Sequence, residues 1–69
     1  MELHATKMGD FYEFEGRENA QTVATLLGRM VDRSPKAQDG MTCGVPYHAI
    51  WEAKETLEAA GHTVVISYM

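Results

Sequence analysis

The sequence predicts a small α/β domain, a mixed β-sheet flanked by two main helices. Apolar residues alternate with polar ones at the N-terminus, and a β-branched block, Val64-Val65-Ile66, lies near the C-terminus. Two interior stretches instead space their apolar residues three and four apart, and each is followed by glycine. Period two marks a half-buried strand and period 3.6 an amphipathic helix. Strands interleaved with helices form an α/β sandwich. At 69 residues the chain makes one domain at most, residues 1–69, with a small core.

Met1, Leu3 and Ala5 alternate with Glu2, His4 and Thr6, as a strand with one buried face does. The pattern can run through Met8 towards Phe11, although Gly9-Asp10 signals a break or bulge. Phe11-Tyr12-Glu13-Phe14 is an aromatic cluster that ends at Gly16. From Arg17 the period changes. Ala20, Val23, Ala24 and Leu27 form the stripe of a helix over residues 17–27, with Glu18 suited to its positive end and Gly28 to its cap. Met30-Val31 fits a brief strand, and residues 34–40 are rich in turn formers. Met41 to Val45 fits another short strand, ended by Pro46. Ile50, Ala53, Leu57 and Ala60 mark the inner face of a second helix stopped by Gly61, with Lys54 and Glu58 outside. Thr63 to Tyr68 reads as an interior strand. The expected order is strand, helix, short strands, helix, strand. The sequence contains no internal repeat, low-complexity tract or linker.

Composition narrows the function. With 45% hydrophobic and 23% charged residues, the chain has the balance of a globular domain rather than a disordered tail. No apolar run is long enough to span a bilayer, so no membrane partner is expected. Met1-Glu2-Leu3-His4 lacks the features of a secretory signal, and a cytoplasmic location is expected, for the protein or for a domain cut from one. A single cysteine, Cys43, excludes an internal disulfide and a multi-cysteine zinc site. The net charge of −4 argues against tight, sequence-blind nucleic-acid binding, which comes mainly from phosphate neutralisation. The one basic patch is Arg29, Arg33 and Lys36, interrupted by Asp32.

Two hexapeptides carry more information: Met8-Gly9-Asp10-Phe11-Tyr12-Glu13 and, about thirty residues on, Gly44-Val45-Pro46-Tyr47-His48-Ala49. Together they closely resemble the N-terminal mismatch-recognition domain of the mismatch repair ATPase MutS. Ala20 to Leu27, Met41-Thr42-Cys43-Gly44 and Gly61 to Ile66 are similar to that family's intervening and closing segments, in register. The resemblance covers roughly residues 7 to 66. It implies that Phe11 and Glu13 are the family's Phe-x-Glu motif. The phenylalanine inserts from the minor groove and stacks on the mispaired base, and the glutamate hydrogen-bonds to that base. A wedged aromatic must unstack the duplex, and a mispair has already lost part of its stacking and pairing. Such a site reads deformability more than sequence. Two residues apart on an extended strand, Phe11 and Glu13 face the same way while Tyr12 faces back into the domain. Taken without the family, Phe11 reads as a core aromatic; the motif makes it an exposed one and leaves Phe14 to the core. Arg29, Arg33 and Lys36 are candidate contacts to the DNA backbone, against the plain reading of a solvated loop.

The sequence also departs from the family pattern. Only Met1 to Lys7 precede the motif, and the second helix carries Lys54 and Glu58 where the family is apolar, which predicts a solvent-facing surface. Ser67-Tyr68-Met69 replaces the usual Cys-Glu-Gln. The sequence holds no counterpart of the connector, lever, clamp or ATPase domains and no P-loop, so no ATP hydrolysis is expected. Binding by these residues alone is expected to be weak.

Other chemistry fits less well. Asp10, Glu13 and Glu15 could form the carboxylate cluster of a metal-dependent nuclease, but Lys7 is the only local base and Asp10 suits a turn after Gly9. His4, His48, His62 and Cys43 lack zinc-ligand spacing. His48 fits the turn before the second helix, with Tyr47 packing beside it. Cys43 reads as a small buried residue. Trp51 lies off the apolar stripe and either packs under the loop or forms a partner patch.

The expected function is a non-enzymatic DNA-binding module, with no cofactor and no metal. Its expected partner is mismatched or distorted double-stranded DNA, bound weakly, which would make it nucleoid-associated. Other mismatch-repair or phage and mobile-element proteins are further candidate partners. The alternative is a protein-interaction module, or the N-terminal fragment of a larger DNA-processing or mobile-element protein, that keeps the fold without autonomous DNA binding.

Overall fold

A computed structural model describes residues 1–34 and 40–67. The strands are β1 (Glu2–Met8), β2 (Phe11–Glu15), β3 (Asp32–Arg33), β4 (Met41–Pro46) and β5 (Thr63–Ser67). The helices are α1 (Arg17–Leu27) and α2 (Ile50–Ala59), the second entered through a 3-10 turn at Tyr47–Ala49. The strands form one mixed sheet in the order β3-β4-β2-β1-β5. β1 runs parallel to β5 and antiparallel to β2; β2 and β3 each run antiparallel to β4.

The expected α/β fold with two main helices is therefore present, and α1 occupies the residues its apolar stripe predicts. Its backbone closes on Gly28, which is left-handed at φ 67. Three details differ from the expectation. Gly9-Asp10 is a two-residue hairpin turn that makes the aromatic cluster a strand of its own, with Met8 opposite Phe11. Gly9 has φ 64 and Asp10 is not left-handed, the pattern of a turn that needs glycine at its first central position. The short third strand is Asp32–Arg33, two residues beyond Met30-Val31, because pairing with Thr42 and Met41 sets it rather than apolarity. Among the described residues β5 pairs only with β1 and so lies at an edge, not in the interior. Ala60, expected on the inner face of α2, lies exposed just beyond the end of that helix.

Alternation along the strands separates two faces. Leu3, Ala5, Tyr12, Phe14, Cys43, Val45 and Val64 form one core with Ala20, Val23 and Ala24 of α1 and Ile50, Ala53 and Leu57 of α2. Both helices thus cover the same face of the sheet. The opposite face carries Glu2, His4, Thr6, Met8, Phe11, Glu13 and Glu15, all exposed or half-buried. Lys54 donates to Glu58 at 2.9 Å on the outer side of α2, as the spacing predicts.

Candidate nucleic-acid interface

Phe11 begins β2 directly after the hairpin turn, so it stands at the end of the sheet. It projects from the face opposite the helices, between Met8 of β1 and Pro46 of β4 in the register. It is 45% exposed, while Tyr12 is 3% and Phe14 0% exposed. The expectation that the motif carries for these aromatics holds, and the family-free reading of Phe11 as a core residue does not: Tyr12 and Phe14 build the core and Phe11 stands outside it.

Glu13 lies on the same face, opposite Thr6 and Gly44 in the neighbouring strands. The Thr42 hydroxyl of β4 donates to Glu13 Oε1 at 2.8 Å, with Phe14 O at 3.3 Å as a second acceptor. The carboxylate lies against Gly44: a Cβ there would meet Oε2 at 3.0 Å. Met8, Glu13, Asp32, Arg33, Ser34 and Thr42 line an open depression of about 250 Å³ on this face.

The two described residues of the basic patch, Arg29 and Arg33, line different grooves. Arg33 lines the depression that holds Glu13. Arg29 donates from Nε to Gly44 O at 3.0 Å and lines a separate groove with Leu27, Val45, Ala49 and Glu52, by the helices. Its guanidinium braces the sheet edge. Lys36 lies outside the described residues. Lys7, read from the sequence only as the base beside a carboxylate cluster, donates from Nζ to Gly9 O at 3.1 Å and lies 5.9 Å over the Tyr47 ring. No local pattern marks a role for Thr42 or for the space at Gly44.

Beside Phe11, the Tyr47 backbone N–H donates to Asp10 O at 2.8 Å and ties the second hexapeptide to the hairpin turn. Asp10 thus joins the turn through its carbonyl. Tyr47 is 53% exposed and meets His48 edge-on at 6.0 Å, as the expected pairing requires. Trp51, one helical turn on, is 59% exposed, and the loop expected to cover it lies mostly outside the described residues. Cys43 is fully buried; burial pushes its thiol pKa up, with Asp32 and Glu13 adding to the rise and Arg29 opposing it. Among the described residues no three His, Cys, Asp or Glu side chains converge as metal ligands would.

Fold and site together define a two-layer α/β domain that sets an exposed phenylalanine and a carboxylate side by side on the sheet face free of α1 and α2. A family model for MutS domain I matches residues 2–68, beyond both ends of the stretch whose motifs resemble it. The chain belongs to the MutS domain I family and is, at family level, a MutS-like mismatch-recognition domain. No curated protein matches the sequence.

Proposed function

We propose that this chain reads mispaired or distorted duplex DNA through Phe11 as wedge and Glu13 as base contact, without ATP and without a catalytic step. The observation that carries the reading is the placement of Phe11. It is a large apolar side chain set at the end of the sheet, half in solvent, while its strand neighbours fill the core. A wedge must be available to leave water for a base stack, and Glu13 stands on the same face two residues away. Repulsion from phosphates is tolerable for a carboxylate that meets a base edge instead. Arg33, in the depression beside Glu13, is the described cation best placed for a backbone phosphate. With a net charge of −4, binding is weak and its salt dependence shallow, because few phosphates are neutralised. The reading places the chain with DNA in the cytoplasm.

The test is fluorescence anisotropy of a labelled duplex at low salt, with a central mismatch and with its matched control. Tighter binding to the mismatch, lost in Phe11→Ala, is the expected result. No binding to either duplex at about 100 μM, weaker than ordinary non-specific affinity, overturns autonomous recognition.

The exposed pair Tyr47 and Trp51 favours a second reading, a protein-interaction module. Solvent-facing aromatics one helical turn apart are the usual anchors of a protein interface. That reading gains if the duplexes fail to bind and if Trp51→Ala abolishes association with another mismatch-repair or mobile-element protein.

A further inference from the structure

We infer that Thr42 and Gly44 are positioning residues that hold the Glu13 carboxylate as a preset hydrogen-bond acceptor, an inference that rests on the mismatch reading above. Thr42 is only 5% exposed although its side chain lies on the face opposite the helices. Register places it diagonally across from Glu13, since Gly44 lies opposite Glu13 and Thr42 opposite Glu15. The hydroxyl has one proton and two acceptors within reach. Glu13 Oε1 at 2.8 Å is the nearer, and Phe14 O is at 3.3 Å. A bond to a charged acceptor is the shorter and stronger of such a pair.

Gly44 completes the cradle. Its φ is not left-handed, so the backbone does not demand glycine there. The demand is for space. A Cβ at this position would lie 3.0 Å from Oε2, 3.4 Å from Oε1 and 3.5 Å from Cδ of Glu13. Without it the carboxylate lies flat on β4. One oxygen is then spent on Thr42. Oε2 is the oxygen that the space at Gly44 accommodates, and the cradle presents it to a ligand. Glutamate is a long, rotamer-rich side chain, and fixing it before the DNA arrives removes an ordering cost from binding. Asp32 and Arg33 line the same depression, so the local charges are mixed and do not themselves hold the carboxylate.

The test uses the 69-residue chain and the ratio of matched to mismatched dissociation constants. Thr42→Val removes the hydroxyl at nearly constant shape, Thr42→Ser keeps it, and Gly44→Ala pushes on the carboxylate without backbone strain. Thr42→Val and Gly44→Ala are each expected to lower the ratio about two- to tenfold, the worth of one hydrogen bond. Thr42→Ser is expected to retain the wild-type ratio, and in a Glu13→Ala background Thr42→Val is expected to change nothing further. That last arm separates positioning from a general loss of structure. A discriminating wild type whose ratio survives both Thr42→Val and Gly44→Ala overturns the cradle alone. So does an equal loss from Thr42→Val in the Glu13→Ala background. A wild type that does not discriminate overturns the mismatch reading and the cradle with it. Should Thr42→Val unfold, Gly44→Ala and Thr42→Ser decide the matter.

Discussion

Phe11 and Phe14 are three residues apart on one strand, yet truncating them should have opposite consequences. Phe14 is fully buried in the core shared by the sheet and both helices. Phenylalanine-to-alanine changes in cores cost about 3–5 kcal/mol in lost transfer and residual cavity. At roughly 0.05–0.15 kcal/mol per residue, a chain of 69 residues has about 3–10 kcal/mol of total stability. Phe14→Ala therefore removes roughly 30% of that stability at least, and at the lower end all of it. Phe11 is 45% exposed. Full burial of such a side chain contributes about 1.5–3 kcal/mol, so half burial contributes about 1 kcal/mol, an upper figure because the unfolded chain is itself partly collapsed. For a domain of this size 1 kcal/mol shifts the melting temperature by about 4–8 °C. Circular dichroism melts of both variants beside wild type make the comparison. Phe11→Ala should keep a cooperative transition close to wild type, and Phe14→Ala should be largely unfolded at room temperature or melt far lower. A Phe11→Ala loss equal to that of Phe14→Ala would refute the argument. Phe11 would then be a core residue, and its loss of DNA binding would say nothing about a wedge.

Two further outcomes follow from backbone and burial. Gly9→Ala should cost at least about 1 kcal/mol, because the hairpin holds this residue at φ 64, where a Cβ is strained whatever the space around it; urea titration reads the loss, and an unchanged midpoint would contradict the turn geometry. Cys43 titrates above its ordinary range, so the folded state holds the thiol proton more tightly than the unfolded chain does. Its contribution to stability is complete below the unfolded pKa of about 8.5 and is lost as pH rises through the raised folded value. Wild type should therefore lose stability more steeply above that pH than Cys43→Ala, and a thiol reagent should react slowly until the chain unfolds. Identical alkaline slopes for the two proteins would oppose the assignment.

How much was legible in the sequence depended on whether a signal was local. The stripe Ala20, Val23, Ala24, Leu27 and the cap Gly28 lie within one segment, and α1 has the residues they predict. The alternation of Phe11, Tyr12 and Phe14 is equally local and puts Phe11 on the other side of the strand from the core pair, but it is the motif, not the alternation, that marks Phe11 as the exposed one. Pairing between distant segments is not local. Asp32–Arg33 forms a strand because β4 passes beside it, although Met30-Val31 has the more strand-like composition. The β-branched run of β5 suggested an interior strand, but half-burial against one neighbour and the helix layer satisfies the same preference. The Thr42 bond to Glu13 joins residues 29 apart through the β2–β4 register, and no pattern within either segment announces it. Arg29 and Arg33 look alike as charges. Only the fold assigns one to Gly44 O and the other to the depression beside Glu13.

The acidic balance bears on how such a site would discriminate. Glu2, Glu13 and Glu15 stand on the same sheet face as Phe11, and Asp32 lines the depression beside Glu13. Phosphates of any duplex, matched or mismatched, are repelled by these groups alike, so the sequence-independent part of binding is small. Repulsion common to both duplexes cancels from their ratio, and what would separate them is the cost of opening the stack for Phe11, together with the base contact of Glu13. A matched step must be unstacked in full, whereas a mispaired step is already part-way open. On this account, adding lysines to the face would tighten both complexes and leave the ratio nearly constant, while Phe11→Ala would collapse the ratio with little effect on matched DNA. Affinity and discrimination would then be separable properties of one small sheet face, the first set by its charges and the second by the exposed ring of Phe11 and the base contact of Glu13.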